Sequence, residues 1–182
     1  FNYGAHFFDM SFVPENITKI AYAPSFGVST LPLYQKRGMV KCINRIKSLS
    51  VREISGQKLI RELCGREATV VSDPTMLLTK DDWAEIKAPR VINEDYIFCY
   101  FIGNNKKHRD FAVKLSKKTK LKIVFLPHIY SYQQVDENFG EIHPEDIGPR
   151  EFVSLIAHAK YVCTDSFHGS VFSIIYEKNF FT

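Results

Sequence analysis

The sequence lacks the long apolar segments and short catalytic motifs that assign many proteins to a class at once. No apolar run approaches the roughly 20 residues that a membrane-spanning helix needs. No Walker loop, GxGxxG, HExxH or GxSxG motif occurs, so nucleotide hydrolysis, zinc proteolysis and serine-hydrolase chemistry have no support. Low-complexity segments and fixed-period repeats are also absent, which argues against fibrous and disordered classes.

Cysteine is scarce and is never arranged in a CxxC pair. Cys42, Cys64, Cys99 and Cys163 each stand alone in an apolar segment. This distribution favours buried free thiols over disulfides or a zinc site, and we predict no metal and no cofactor. It also favours a reducing, cytoplasmic setting, with the inner face of the membrane as an alternative position.

Charge of one sign is not concentrated enough to indicate a nucleic-acid partner. The chain carries 24 Lys and Arg against 20 Asp and Glu, a formal net charge of +4. The basic residues are scattered apart from the stretch 106–122, whereas nucleic-acid binders gather their charge on one face. We interpret that stretch as a solvated helix face, which leaves at most a weak attraction for anionic substrates.

The arrangement of apolar residues predicts an α/β fold with two domains. Short apolar runs alternate with segments of helical period, which is typical of a parallel sheet covered by helices. The alternation stops around 89–95 and then restarts. We therefore predict two Rossmann-like domains: a partial N-terminal domain at 1–88, a linker at 89–95, and a C-terminal domain at 96–182 that is truncated at its end.

Local signals give more detail within these domains. A long helix is predicted over 33–47, and Ser55 is the expected N-cap of the next helix, which should stop at Gly65. Thr79 is expected to begin a further helix. The predicted strands cover 19–23, 49–53, 68–71, 96–102, 121–126 and 161–164.

Unusual polar clusters fall where predicted strands end, which is where ligands bind in such folds. In the segment TDSFHG at 164–169, a strand ends and a helix begins with His168 in or beside its first turn. A helix start attracts anions, and a histidine there can bind phosphate or carboxylate or transfer a proton. We predict Ser166 and Gly169 as substrate-binding residues of this turn, and Gly169 would allow close approach to the backbone. The alternative is that Asp165 or Ser166 only caps the helix while His168 packs locally.

Arg52 is the second candidate, at the end of the run 49–53. A guanidinium can hold carboxylate or phosphate through two hydrogen bonds, although an ordinary ion pair with Glu53 is an alternative. Ser25, in a turn after the first strand, and His128, at a later strand end, are weaker substrate-binding candidates.

Four segments taken together resemble the polysaccharide pyruvyl transferase family. They are IAYAPSFG at 20–27, LSVRE at 49–53, SDPT at 72–75 and AKYVCTDSFHG at 159–169. The resemblance implies a fold similar to the two-domain GT-B glycosyltransferases, with the first βα units and the C-terminal tail missing here. It also implies an enzyme of exopolysaccharide biosynthesis that transfers pyruvate from phosphoenolpyruvate to a glycan or lipid-linked saccharide, forming a cyclic ketal.

The resemblance assigns roles to individual residues. Arg52 matches a family arginine taken to bind the donor, and His168 with Gly169 matches the histidine–glycine pair of the C-terminal motif. Many members carry an arginine where this chain has Ser166, so a donor-binding cation is missing there. Two other functions stay open at this point: a sugar-nucleotide glycosyltransferase of the same architecture, and a catalytically degenerate glycan-binding module.

Overall fold

The computed structural model describes residues 10, 12–127 and 133–182, in which strands and helices alternate. The strands are β1 (Ile20–Ala21), β2 (Ser48–Val51), β3 (Thr69–Val70), β4 (Tyr96–Tyr100), β5 (Lys122–Leu126), β6 (Tyr161–Thr164) and β7 (Asn179–Phe181). The α-helices are α1 (Leu33–Asn44), α2 (Ile54–Cys64), α3 (Lys80–Ile86), α4 (Lys106–Thr119), α5 (Pro149–His158) and α6 (Phe167–Ile175). Every paired strand is parallel to its neighbour, so the α/β prediction is confirmed and agrees with a Rossmann-like fold.

Contacts divide the chain into a first unit that ends at Leu77 and a second unit from Leu78 to Thr182. Helix α3 packs with the second unit, because Trp83 meets the ring of Phe172 edge to face at 4.9 Å. The domain bounds inferred from periodicity, which put this helix with the N-terminal domain, remain a prediction.

The first unit contains a sheet of three strands in the order β1-β2-β3. Its small core lies between the sheet and the two helices that follow β1 and β2. The buried core residues are Ile43, Val51, Ile60 and Ala68. Strands β1 and β3 have two residues each and keep substantial exposure, so β2 provides most of the buried strand surface.

The second unit contains a sheet of four strands in the order β5-β4-β6-β7, with helices on both faces. Alternate residues of the central strands point into two separate apolar clusters, as expected for a parallel sheet covered on both sides. One cluster includes Tyr96, Phe98, Val124, Val162, Leu155 and Phe172. The other includes Ile97, Cys99, Phe125, Cys163 and Ala112.

This strand order creates a point at which the direction of the connections reverses. From β4 the chain passes through α4 to β5 on one side, and it later returns through α5 to β6 on the other side of β4. In open α/β sheets, the crevice at the carboxyl ends of two such strands is the usual position of a ligand. The carboxyl ends of β4 and β6 are therefore the place to look for chemistry in this unit.

Two local predictions are wrong in detail. Helix α2 begins at Ile54 with Glu53 as its N-cap, so Ser55 lies inside the helix. The Glu53 carbonyl already accepts the Gln57 N–H at 3.2 Å, which starts the helix directly after β2. Helix α1 ends at Asn44 because the chain then turns to join the sheet, where the Lys47 N–H donates to the Lys19 carbonyl at 2.8 Å. The stop at Gly65 and the start at Thr79 are confirmed.

All four cysteines are free thiols, and two of them lie deep in the second unit. Cys99 and Cys163 are buried partners across β4 and β6, whereas Cys42 and Cys64 are only partly buried. Burial raises the pKa of the Cys99 thiol, and the neighbouring Cys163 adds to the shift. The Cys99 thiol is therefore protonated at neutral pH and acts as a packing group.

Candidate functional site

The turn between β6 and α6 is held by a short chain of hydrogen bonds. The Ser166 hydroxyl accepts the Gly169 N–H at 3.3 Å, which makes Ser166 the N-cap of α6. The Ser166 N–H donates to the Thr164 hydroxyl at 3.0 Å, and that hydroxyl donates to the Tyr100 carbonyl at 2.6 Å. Ser166 is only 3% exposed and does cap the helix, while its contact with substrate stays a prediction.

Gly169 lets α6 approach β6 closely. A Cβ atom at this position would collide with the Thr164 hydroxyl oxygen and would lie 3.0 Å from the Thr164 Cγ2. The Gly169 carbonyl also accepts the Ser173 hydroxyl at 2.7 Å. Packing therefore explains the glycine, and its predicted contact with substrate stays a prediction.

His168 lies in the first turn of α6, partly buried, at the positive end of the helix dipole. Its ring stands at 82° to the ring of Phe167, with the centroids 5.2 Å apart. Phe167 is 47% exposed, so the turn presents an aromatic side chain beside the imidazole. A histidine in this position can both bind an anion and exchange protons.

Asp165 has a different role from the cap that its position suggested. Its Oδ1 accepts the Ile102 N–H at 2.6 Å, and its Oδ2 accepts the Gly103 N–H at 3.0 Å. The carboxylate therefore joins the turn after β6 to the loop after β4. The same Oδ2 lies 3.6 Å from Nδ1 of His108, too far for a hydrogen bond.

A buried ion pair between Arg109 of α4 and Asp136, in the short 3-10 turn Gln134–Asp136, was missed by sequence reasoning, which treated 106–122 as a solvated face. Arg109 is 3% exposed, and its Nε donates to Oδ1 of Asp136 at 2.8 Å. A second guanidinium nitrogen donates to the Gly103 carbonyl at 2.9 Å. The available signal was helical spacing, because Arg109 and Ala112 are three residues apart and form the buried side of the helix.

Arg52 follows β2 directly and is oriented by an acid from the next strand end. One of its terminal nitrogens lies 2.6 Å from Oδ2 of Asp73. The Asp73 side chain is 2% exposed, and its Oδ1 accepts both the N–H and the hydroxyl of Thr75, at 3.0 and 2.6 Å. The Arg52 side chain keeps 25% exposure, so its charge is held by a fixed carboxylate and still reaches solvent.

Glu53, the alternative ion-pair partner of Arg52, makes a different contact. Its carboxylate accepts the Phe26 N–H at 2.8 Å and so fixes the turn after β1. In the same turn the exposed Ser25 hydroxyl accepts the Gly27 N–H at 3.0 Å. Thus Ser25 and Arg52 both lie just beyond the carboxyl ends of neighbouring strands, while the remaining candidate, His128, lies outside the described residues.

Across the described residues, each helix falls short of the length or the apolar character needed to cross a bilayer. That part of the chain also holds no group of three or more His, Cys, Asp or Glu side chains placed to bind a metal ion.

Parallel strands covered by helices, with polar groups at the carboxyl ends, place the protein in the class of Rossmann-like α/β proteins. The model of the polysaccharide pyruvyl transferase family matches residues 1–182, the whole chain, so the chain belongs to that family. The resemblance found in the sequence is thus confirmed, and membership makes the protein a transferase of polysaccharide biosynthesis with a polysaccharide acceptor. No curated protein matches the chain.

Proposed function

We propose that the protein transfers pyruvate from phosphoenolpyruvate to two hydroxyls of a surface-glycan or exopolysaccharide sugar, forming a cyclic ketal. The observation that most supports this is the turn 164–169. It carries the partly buried His168 at the start of α6, beside the point where the strand order reverses. In keeping with the family resemblance, we also propose a GT-B-like two-domain enzyme that acts in the cytoplasm or at the inner face of the membrane.

The donor is a small anion with a carboxylate and a phosphate, so it needs at least two positive groups. In the first unit we propose Arg52, whose guanidinium is oriented by the buried Asp73, as a residue that binds an anionic group, in keeping with the family resemblance. In the second unit we propose the first turn of α6 as a position that receives an anionic group, because the helix dipole favours negative charge there. Ser25, Ser166, Gly169 and His128 stay proposed as further substrate-binding residues.

In the proposed reaction, His168 supplies or relays a proton to the methylene carbon of phosphoenolpyruvate. This makes C2 electrophilic, and a sugar hydroxyl attacks C2 and loses its proton. The C2–O bond to phosphate then breaks, inorganic phosphate leaves, and a second sugar hydroxyl adds to C2 with loss of its proton. One of the two hydroxyl protons replaces the proton that was given to the methylene carbon, and the other leaves on the departing phosphate, so the products are the ketal and hydrogen phosphate.

The test is phosphate release by the full-length protein with phosphoenolpyruvate and a saccharide acceptor. Loss of a positioned acid typically costs about 10²- to 10⁴-fold in rate, which we expect for His168→Ala. Arg52→Gln should mainly raise KM for the donor, because the guanidinium binds it in the ground state.

Two matched controls lie away from the strand ends. His143 is exposed and bonds backbone carbonyls near its own position, and Arg61 is an exposed helix arginine paired with Glu67. His143→Ala and Arg61→Gln should keep near-wild-type turnover. If His168→Ala and Arg52→Gln turn over as fast as these controls, the proposed assignment is wrong.

A further inference from the structure

The loop 102–105, between β4 and α4, is fixed through its backbone by a carboxylate. Asp165 accepts the N–H groups of two successive residues, Ile102 at 2.6 Å and Gly103 at 3.0 Å. A side chain does not fit at position 103, because a Cβ atom there would lie 2.8 Å from Oδ2 of Asp165. The carboxylate therefore occupies the space that a side chain at position 103 would take.

The same loop is held through its carbonyls by Arg109. One guanidinium nitrogen donates to the Gly103 carbonyl at 2.9 Å and to the Asn105 carbonyl at 3.2 Å. The guanidinium also lies over the Phe101 ring, 4.8 Å from its centroid, and its charge is balanced by Asp136. Removing the charges of Arg109 and Asp136 from water costs free energy. The hydrogen bonds from this buried guanidinium to the loop carbonyls hold the loop in one shape.

Asp165 thereby links two segments that meet at the reversal point of the sheet. It is the residue before the cap Ser166, and it binds the loop that follows the neighbouring strand β4. The carboxylate is therefore a direct contact between this loop and the turn that carries His168. Both segments lie at the edge of the sheet where ligands bind in this class of fold.

We propose that Asp165 is a positioning residue, which holds the loop 102–105 against the turn 164–169 and so fixes the place of the His168 imidazole. Each oxygen of its carboxylate accepts a backbone N–H of the loop, so we give it no part in proton transfer. The effect on turnover rests on the proposed function of His168. The contact between the loop 102–105 and the turn 164–169 is independent of that function.

The first arm of the test measures kinetics of the full-length protein well below its unfolding temperature. Asp165→Asn keeps the size but turns an N–H group toward a backbone N–H, so the loop contact weakens. Because small displacements of a positioned group cost roughly 10- to 100-fold in rate, we expect a fall of that size in kcat with little change in KM for phosphoenolpyruvate. The control Asp110→Asn removes an exposed acid of α4 that pairs with Lys106, and it should stay within about twofold of wild type.

A second pair of variants uses the crowding at Gly103. Gly103→Ala should displace the carboxylate and lower kcat about as much as Asp165→Asn, since the added Cβ meets Oδ2 at 2.8 Å. In an Asp165→Ala background, the same glycine substitution should cost less than about twofold, because the clashing atom is gone. Equal losses in both backgrounds, or Asp165→Asn with wild-type kcat, would overturn the proposal.

The second arm does not depend on the reaction. In protein labelled at histidine Cε1, Asp165→Asn should shift or broaden the His168 resonance, while amide exchange at Ile102 and Gly103 speeds up at least tenfold; Asp110→Asn should do neither. If these changes occur in a protein that shows no pyruvyl transfer, the positioning role of Asp165 is supported and the proposed function is wrong. An unchanged His168 resonance in an active enzyme would overturn the inference alone.

Discussion

The two units hold polar groups at their strand ends in different ways. In the first, the charged pair of Arg52 with the buried Asp73 lies at the end of a sheet whose outer strands have two residues each, and Glu53 holds the nearby Phe26 N–H. In the second, Thr164, Asp165 and Ser166 bind mainly backbone groups, at the edge of a sheet that is buried on both faces. We therefore expect substitutions at the strand ends of the second unit to affect stability and activity together, and those in the first unit to affect mainly substrate binding.

Breaking the buried pair between Arg109 and Asp136 should have the largest effect on stability. Arg109→Leu leaves the carboxylate of Asp136 buried without its main counter-charge, which typically costs about 3–5 kcal/mol. The free energy of unfolding from urea titration would measure this loss. The double variant Arg109→Leu with Asp136→Leu should recover much of it, because the unpaired charge has gone. A double variant as unstable as the single one would mean that the guanidinium acts mainly through the loop carbonyls.

Crowding at Gly169 should have the next largest effect. Gly169→Ala inserts a methyl group against Thr164, and overpacking of this kind costs about 1–3 kcal/mol. Thr164→Ala removes the colliding hydroxyl, so the glycine substitution should cost less in that background. Thermal unfolding of the four proteins gives the coupling energy. Strict additivity would show that α6 moves away from β6 at little cost.

Much of the fold was accessible from the sequence, for reasons that particular elements illustrate. The run YIFCY is apolar at successive positions because β4 is covered on both faces, and this pattern distinguishes it from an amphipathic helix. Thr79 and Gly65 mark helix ends because a hydroxyl cap and a left-handed glycine are local features. The prediction of Ser55 as an N-cap was wrong because the chain enters α2 directly from β2. The end of the strand, and not the local hydroxyl, determines where the helix begins.

The candidate site was only partly accessible, because its contacts join residues that are far apart in the chain. TDSFHG indicated a strand end and a helix start, which are local, and Ser166 does cap the helix. The partners of Asp165 and Arg52 are 63 and 21 residues away. Nothing in the spacing within one segment specifies such a pair, since it is set by the strand order and by the turns that the sheet brings together.

In the first unit, Asp73→Asn tests whether the pair serves binding. The amide can keep the contacts with Thr75 through Oδ1 but presents an N–H group to Arg52, so the guanidinium loses its anchor. With the guanidinium no longer held in place, KM for phosphoenolpyruvate should rise, and a tenfold rise would correspond to a loss of about 1.4 kcal/mol in donor binding. Initial-rate kinetics measure KM, and the midpoint of thermal unfolding should change little. A large loss of stability with an unchanged KM would mean that the pair of Arg52 and Asp73 stabilises the first unit and does not serve substrate binding.

The smallest effect is expected at Ser25. Its exposed hydroxyl accepts the Gly27 N–H within the turn, and surface substitutions usually change stability by less than about 0.5 kcal/mol. If the hydroxyl also binds the donor, Ser25→Ala should raise KM about threefold, the equivalent of one modest hydrogen bond. Ser29→Ala, at another exposed serine of the same segment, is the matched control and should leave KM unchanged. Equal KM values for the two variants would leave Ser25 a role in the turn alone and remove it from the proposed site.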